Sequence, residues 1–257
     1  MKGDRLSREM VSSTQNGAIN IVPLHAPEAP TVTRTPQLVY NNGPLLTAVQ
    51  VFTIFWGASW QEPSFTNIVQ NINNFFSFIL TSPLMDQLTE YNTQEQQIGH
   101  GSFIGTTTMT TSDPGSSIAD SDIQQMLNDG IANGTLPQPT ANTLYFVYLP
   151  SGTTVTQGGV SSCQTFCGYH DTINGQIFYA VMPYPDCEGC MNGLSVFDAL
   201  TTTSSHELCE AVTDPIPGQG WYDQNNGEIG DICAWQVKQI GNYTVQMEWS
   251  NNAKSCV

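Results

Sequence analysis

The chain has 257 residues with 39% hydrophobic and 10% aromatic content, and its formal net charge is −16. A chain of this length and composition can bury a substantial core, which excludes disorder throughout. None of the six Lys and Arg residues lies between positions 35 and 237, whereas 18 of the 22 acidic residues do. Most of the surface is therefore not expected to bind nucleic acid, because phosphate binding depends on basic side chains.

Residues 1–44 differ in composition from the rest of the chain. They are rich in Ser, Asn, Pro and Thr, show little periodicity, and lack the apolar core of a signal peptide. We therefore predict a mobile N-terminal arm or propeptide, followed by a single domain over residues 45–257. Apolar stretches such as 48–57 and 143–150 are shorter than the roughly 20 residues that cross a bilayer, so no membrane span is expected.

Strand and helix patterns alternate along the predicted domain. Runs with strand character, β-branched and aromatic or rich in Gly and Thr, predict strands over residues 48–56, 99–111, 143–149 and 175–182. Apolar residues at helical spacing predict helices over residues 65–79, 117–132 and from 194 to the prolines after residue 214. This order predicts a layered α/β fold. We place the 99–111 strand at a sheet edge, where substrate peptides would pair with it.

Seven cysteines lie in the last hundred residues, at positions 163, 167, 187, 190, 209, 233 and 256. Their close spacing indicates short disulfides and an oxidising compartment, so the protein is predicted to be secreted. The first four also form C-x3-C and C-x2-C pairs, which a structural zinc site could use instead. The odd count leaves one thiol over, which we expect to be Cys209, with Cys233 joined to Cys256.

The run His206-Glu207-Leu208-Cys209-Glu210 lies on the last predicted helix. His206 and Glu210 are four residues apart, so they project from one helix face and can bind the same ion. This is the spacing of H-E-x-x-H metallopeptidases, in which the intervening Glu takes a proton from the water that zinc activates. Glu207 is thus the predicted general base. Because Glu replaces the second His, manganese and calcium are alternative metals.

A third metal ligand is expected in the loop after this helix, where residues 220–231 are rich in carboxylates, aromatics and glycines. Glu228 is favoured by its spacing from the helix motif, and Asp231 and Asp214 are the alternatives. Tyr222 is a candidate for stabilising the oxyanion. Alternating oxygen donors over residues 223–231 also resemble a calcium loop, although their spacing is one residue short of an EF-hand.

The residues around the motif resemble a known family. The runs SSHELCEAVTDP (204–215), GWYD (220–223), GEIGDIC (227–233) and FCGYH (166–170) are similar to those of microbial proteins related to the plant EXORDIUM, or phosphate-induced, family. The resemblance covers most of residues 45–257. Microbial members keep the His-Glu helix and plant members tend to lose it. The resemblance thus implies a zincin-like layered fold, with a mixed twisted sheet and a motif helix followed by a metal-binding loop.

Together these features predict an extracellular zinc peptidase that acts on peptide or protein substrates, with His206, Glu210, and Glu228 or Asp231 as metal ligands. His170 is a further candidate for orienting the site. The alternative is a secreted, non-catalytic binding or signalling module with a structural metal. A closed four-ligand metal would favour the module, and an open coordination position would favour catalysis. The sequence predicts neither the oligomeric state nor the cleavage specificity.

Overall fold

The computed structural model describes residues 20–23 and 35–257. Single-turn 3-10 helices lie at Ala58–Gln61, Thr89–Tyr91 and Asp231–Cys233. The helices are α1 (Pro63–Ile79), α2 (Pro83–Leu88), α3 (Asp120–Ala132), α4 (Glu188–Met191) and α5 (Val196–Thr213). The strands are β1 (Asn20–Pro23), β2 (Val39–Tyr40), β3 (Gln50–Trp56), β4 (Ser102–Met109), β5 (Ser117–Ala119), β6 (Thr143–Tyr148), β7 (Thr154–Gln157), β8 (Val160–Ser161), β9 (Phe166–Ile173), β10 (Ile177–Met182), β11 (Trp221–Tyr222), β12 (Val237–Ile240), β13 (Tyr243–Gln246), β14 (Trp249–Ser250) and β15 (Ser255–Cys256).

A six-stranded mixed sheet forms the centre of the fold, in the order β1-β9-β10-β6-β3-β4. Strands β10, β6, β3 and β4 are parallel, β9 is antiparallel to β10, and β1 is antiparallel to β9. Four smaller sheets of two or three strands complete the described structure. The predicted α/β class is confirmed. Within the described residues, β4 is also an edge strand, as predicted for residues 99–111.

Both faces of the sheet are covered by helices. Along β3, Val51 and Phe55 belong to one apolar cluster, whereas Ile54 and Trp56 belong to another. The first cluster includes buried residues of α1, α2 and α5, and the second includes those of α3. The sheet is therefore the middle of three layers, with α5 on the same face as α1. Over the described ranges, no helix has the length and apolar character needed to cross a membrane.

The predicted strands and helices are present, with shifts at their ends. The helix predicted from residue 117 begins at Asp120, because residues 117–119 form β5 and pair with β7. The backbone NH of Ala119 donates to the carboxylate of Asp122 at 2.8 Å, which fixes the first turn of α3. Long-range strand pairing therefore prevails here over the local helical pattern.

Part of the predicted N-terminal arm packs on the domain. β1 pairs with β9, with Asn20 opposite His170, and β2 pairs with β11. Leu38 is buried in the first apolar cluster. Residues before the predicted domain boundary at residue 45 therefore pack against the domain. The rest of the predicted arm or propeptide, residues 1–19 and 24–34, lies outside the described residues.

Three disulfides join six of the seven cysteines. The pairs are Cys163–Cys187, Cys167–Cys190 and Cys233–Cys256, and Cys209 is free and buried. The predicted three bridges and the free Cys209 are confirmed. The alternative zinc site at the first four cysteines is wrong, since a cysteine in a disulfide has no thiolate with which to bind a metal.

Candidate metal centre

The motif helix α5 is buried along most of its length. It begins after Ser195, whose hydroxyl accepts a hydrogen bond from the backbone NH of Asp198 at 3.1 Å. It ends before Asp214 and Pro215, because proline cannot continue a helix. Every residue from Ala199 to Thr213 is buried, since β9 and β10 pack against one side of α5 and β13 against another. The polar side chains of the motif are therefore withdrawn from bulk water.

His206 and Glu210 face each other across one turn of α5. Nε2 of His206 lies 3.0 Å from Oε1 of Glu210, and both residues are fully buried. Nε2 therefore contacts this carboxylate as an ion pair, but neither ring nitrogen of His206 meets the geometry of a hydrogen bond within the described part of the chain. Because buried polar atoms are nearly always paired, this imidazole is placed as a metal ligand would be.

The loop after β11 comes very close to this pair. The backbone NH of Asp231 donates to Oε1 of Glu210 at 3.1 Å, and that of Glu228 donates to Oδ2 of Asp231 at 3.0 Å. A Cβ atom on Gly230 would lie 2.7 Å from Nδ1 of His206 and 2.9 Å from Oε1 of Glu210. Glycine at position 230 therefore allows the loop to bring Asp231 against the helix.

His170 on β9 forms the opposite wall of the cluster. Its Nδ1 lies 3.1 Å from Oε2 of Glu207 and 3.6 Å from Oε2 of Glu210. Its Nε2 lies 3.2 Å from the carbonyl oxygen of Asp214 and 3.8 Å from Oε1 of Glu228. The imidazole thus contacts carboxylates from both the helix and the loop.

A close approach of β9 to α5 places His170 at the site. A Cβ atom on Gly168 would lie 2.6 Å from Cγ2 of Thr203 and 3.3 Å from Oε1 of Glu207. His170 is two residues further along and so faces the same side of the strand. In the sequence it was only a candidate for orienting the site. The available signals were its place in the FCGYH run and the scarcity of histidine, with four in the chain.

The imidazoles and carboxylates form two groups of three that share Glu210. In one group, His206, Glu210 and Asp231 each offer a ligand atom within 4.8 Å of the others. In the other group, His170, Glu210 and Glu228 do the same. Both predicted third ligands therefore lie near Glu210. Asp231 belongs to the group that contains His206, and Glu228 belongs to the group that contains His170. One imidazole and two carboxylates are donors that fit zinc or manganese.

Burial and mutual repulsion shift the pKa values of the carboxyl groups. Burial holds the pKa of Glu228 well above its usual range, and the charge of Glu210 raises it further. Burial and Glu210 also raise the pKa of Asp231 to about 8. For Glu210 itself, burial acts in the same direction, but the charges and hydrogen bonds of His206 and His170 together outweigh it and lower the pKa to about 2. Crowded carboxyl groups of this kind favour a bound cation, which relieves their repulsion.

Glu207 has the properties of a proton acceptor. Burial raises its pKa, and the hydrogen bond from His170 offsets part of that rise. For His170, burial lowers the pKa, but the contacts with Glu207 and Glu210 outweigh this and raise it to about 10. Oε1 of Glu207 makes no hydrogen bond with the described residues. A carboxylate with a raised pKa and a free oxygen is a better proton acceptor than one in water.

Two other acidic residues are engaged by backbone NH groups. The carboxylate of Asp214 accepts hydrogen bonds from residues 218–220, with 2.6 Å to the NH of Gly218. That of Asp223 accepts from the NH groups of Gln37, Asn225 and Asn226. These carboxylates therefore shape the loop. The geometry favours neither Asp214 as third ligand nor a calcium loop over residues 223–231.

Asp231 and Tyr222 give the cluster its more exposed side. Both are partly exposed, whereas His206, Glu210 and Glu228 are fully buried. Burial and the nearby charge of Asp231 raise the pKa of Tyr222 to about 12. The Tyr222 hydroxyl therefore keeps its proton at neutral pH and remains a hydrogen-bond donor.

The predicted peptide-docking strand lies away from this cluster. β4 is separated from β9, which carries His170, by β3, β6 and β10. Four strand spacings of about 4.8 Å place the two strands roughly 19 Å apart. This distance argues against the prediction that substrates dock on residues 99–111. The Gly and Thr pattern identifies an edge strand, but it carries no information on which edge borders the site.

Two comparisons with known proteins were negative. No family model matches the chain, and no curated protein matches it significantly. The EXORDIUM-like family therefore remains a prediction from the residues that carry the resemblance. The geometry of the site is what supports a function.

Proposed function

We propose that the protein is a secreted zinc peptidase, with the metal held by His206, Glu210 and Asp231 and with Glu207 as the general base. The observation that carries the proposal is the fully buried His206, whose ring nitrogens lack hydrogen bonds and whose Nε2 lies 3.0 Å from Oε1 of Glu210. A buried polar group without a partner costs roughly 2 kcal/mol or more, which a bound ion would offset. Three protein ligands would leave a position open for catalysis.

Three residues near the metal would have separate roles in catalysis. When bound, zinc supplies a Lewis acid that polarises the scissile carbonyl and activates water. Glu207 takes a proton from the attacking water and passes it to the leaving amine. His170 holds Oε2 of Glu207 at 3.1 Å, which leaves Oε1 free for this transfer. Tyr222, partly exposed and protonated, would donate to the oxyanion.

Zinc is the metal that this donor set favours. One imidazole with two carboxylates is within the range of catalytic zinc ligands, and manganese is the main competitor. Calcium prefers six to eight oxygen ligands, so an imidazole at the centre counts against it.

The fold and the disulfides support the wider proposal. A mixed sheet with the motif helix on one face is compatible with a zincin-like architecture, which the resemblance implies. Three disulfides are typical of proteins that act outside the reducing cytosol. Peptides or proteins are the proposed substrates.

Digestion of a peptide library tests the proposal directly. The purified protein is expected to cleave peptides, to lose this activity after dialysis against a chelator, and to recover it when zinc is added. Mass spectrometry of the products gives the cleavage sites. Absence of cleavage by folded, zinc-loaded protein would contradict the peptidase function, and cleavage that survives complete metal removal would contradict the role of the metal.

A non-catalytic module with a structural metal is the second candidate, and one observation favours it. His206, Glu207 and Glu210 are each 0% exposed, as expected for a closed structural site. The partial exposure of Asp231 and Tyr222 is our reason for preferring catalysis. Cobalt absorption spectra separate the two candidates. A hydroxamate should change the spectrum if a coordination position is open, and it should leave the spectrum unchanged if the site is closed.

A further inference from the structure

Glu210 presents its two carboxylate oxygens to different histidines. Oε1 lies 3.0 Å from Nε2 of His206, and Oε2 lies 3.6 Å from Nδ1 of His170. The backbone NH of Asp231 donates to Oε1, and Glu228 offers a ligand atom within 4.8 Å of Glu210 in the group that contains His170. A carboxylate placed in this way can bridge two cations, which in two-metal sites lie about 3.5 to 4 Å apart.

The side that faces His170 has unpaired donors of its own. Oε2 of Glu210 and both oxygens of Glu228 make no hydrogen bond with the described residues, and both side chains are 0% exposed. Oε1 of Glu228 lies 3.8 Å from Nε2 of His170. Two donors that share one ion, each about 2.1 Å from it, are about 3 to 3.5 Å apart. A shift of a few tenths of an ångström would therefore let both bind the same cation.

His170 is also oriented as metal-binding histidines usually are. Its Nδ1 is hydrogen-bonded to Oε2 of Glu207 at 3.1 Å, and its Nε2 faces Glu228. A ligand imidazole typically donates from one ring nitrogen to a carboxylate and binds the metal with the other. Nε2 is then the ligand atom, in place of its 3.2 Å contact with the carbonyl oxygen of Asp214.

The charge of the cluster favours more than one cation when its carboxyl groups are ionised. Four carboxylates, Glu207, Glu210, Glu228 and Asp231, surround two imidazoles, and the sequence has no Lys or Arg from residue 35 to residue 237. One divalent ion would leave a net negative charge in a buried site even if His170 were protonated. With these four groups ionised, two divalent ions would balance their charge while both imidazoles stay neutral. Asp214 and Glu248 are also buried near the cluster, and burial raises the pKa of each, which favours their neutral form.

We propose that the centre binds two divalent cations bridged by Glu210. The first is the ion held by His206, Glu210 and Asp231, and the second is held by His170, Glu210 and Glu228. Zinc or manganese is the expected metal at both positions, given one imidazole and two carboxylates at each. The second site rests on the proposed ion at His206, but it does not depend on peptidase activity.

The two positions differ in their access to solvent. All three residues of the second group are buried, whereas Asp231 of the first group is partly exposed. The second ion would therefore exchange slowly and hold β9, α5 and the loop together, while the first would exchange quickly. Chelation is expected to remove the metal in two phases, with one equivalent in each.

Metal analysis of purified, zinc-loaded protein after removal of free ions tests the stoichiometry. The wild type is expected to hold two equivalents per chain, and Glu228→Gln is expected to hold one, because the amide keeps the size of the side chain but removes its charge. Glu248→Gln is the matched control. Glu248 is also fully buried and without hydrogen bonds to its carboxylate, but it belongs to neither group, so this variant should keep two equivalents.

A measurement on the wild type alone covers the case in which the variant does not fold. Protein loaded with manganese should give the electron paramagnetic resonance spectrum of an exchange-coupled pair, since a bridging carboxylate couples the two ions. One equivalent of metal with the spectrum of an isolated ion would overturn the proposal. Two equivalents in the folded Glu228→Gln variant would overturn the assignment of Glu228.

The outcomes also separate this proposal from the proposed function. Two bound equivalents without any peptide cleavage would leave the second site standing and contradict the peptidase. Cleavage with a single bound equivalent would support the peptidase and contradict the second site.

Discussion

A substitution at Glu207 is expected to reduce catalysis without affecting metal binding. Glu207→Gln keeps the shape of the side chain and an oxygen that can accept from His170, but it cannot take up a proton. We expect kcat/KM for peptide cleavage to fall by roughly 10²- to 10⁴-fold, with the metal content unchanged. Initial rates and metal analysis on the same samples check this.

The control for this variant is His206→Ala. It removes a metal ligand, so it should lose both activity and the ion of the first group. Peptide cleavage at the wild-type rate by Glu207→Gln would show that another group is the base. Full activity in His206→Ala would contradict the metal site as proposed.

Gly230 tests how closely the loop must approach the helix. In Gly230→Ala, the new methyl group would meet Nδ1 of His206 at 2.7 Å and Oε1 of Glu210 at 2.9 Å, so the loop must move away. We expect metal affinity to fall by roughly tenfold or more, the range found when groups that orient ligands are disturbed. Titration with a competing chelator measures the affinity.

A matched control exists at Gly99. A Cβ atom there would meet nothing closer than 3.7 Å, so Gly99→Ala should bind metal as the wild type does. Equal affinity in both alanine variants would mean that the loop tolerates displacement and that its close packing is not what positions Asp231.

At the level of secondary structure elements, two disulfides tie β9 and the turn before it to the segment before α5. Cys167–Cys190 closes a loop with a sequence separation of 23 residues, and Cys167 lies three residues before His170. Replacing both cysteines by alanine is expected to lower the free energy of unfolding by about 3 kcal/mol, as loop-closure entropy predicts. Denaturant titration of the variant and the wild type measures the difference.

A thiol count checks the pairing from which this prediction starts. Denatured wild-type protein without reductant should expose one thiol, that of Cys209. A count of three or more would mean that at least one of the three bridges does not form in solution, and the expected loss of stability would then be smaller.

β1 covers the edge of the main sheet that is nearest to the site. It pairs with β9 so that Asn20 lies opposite His170, on the edge where an extended peptide would otherwise pair beside the proposed metal site. Deletion of residues 1–23 is therefore expected to raise kcat/KM for peptide substrates. A shorter deletion, of residues 1–15, keeps β1 and should leave the rate unchanged. A folded long deletion with unaltered kinetics would show that substrates do not use this edge.

For the whole molecule, the buried carboxylates are expected to couple the proposed metal binding to stability. Removing the ions leaves several acidic groups in mutual repulsion inside the fold, so the chelated protein should be less stable than the loaded one. At zinc concentrations about 100-fold above Kd, we expect Tm to be higher by roughly 5 to 10 °C. Thermal unfolding with chelator, with zinc and with calcium measures the effect, and an unchanged Tm would contradict an ion bound to these groups.

Local patterns in the sequence were sufficient for the elements and for half of the centre. Runs of β-branched and aromatic residues predict β3 and β6, and apolar residues at helical spacing predict α1 and α5, because each pattern reflects the geometry of one segment. The pair His206 and Glu210 follows from the same rule, since residues four apart share a helix face. The count and spacing of the cysteines also predicted the three bridges and the free Cys209.

The tertiary structure alone decided how the rest of the centre is assembled. His170 reaches Glu207 from 37 positions away along the chain, through the close packing of β9 on α5. Asp231 and Glu228 both lie in an irregular loop, and only its folded path directs one towards His206 and the other towards His170. The order of strands likewise placed β4 far from the site. Such features depend on contacts between distant segments, which the periodicity of a single segment does not record.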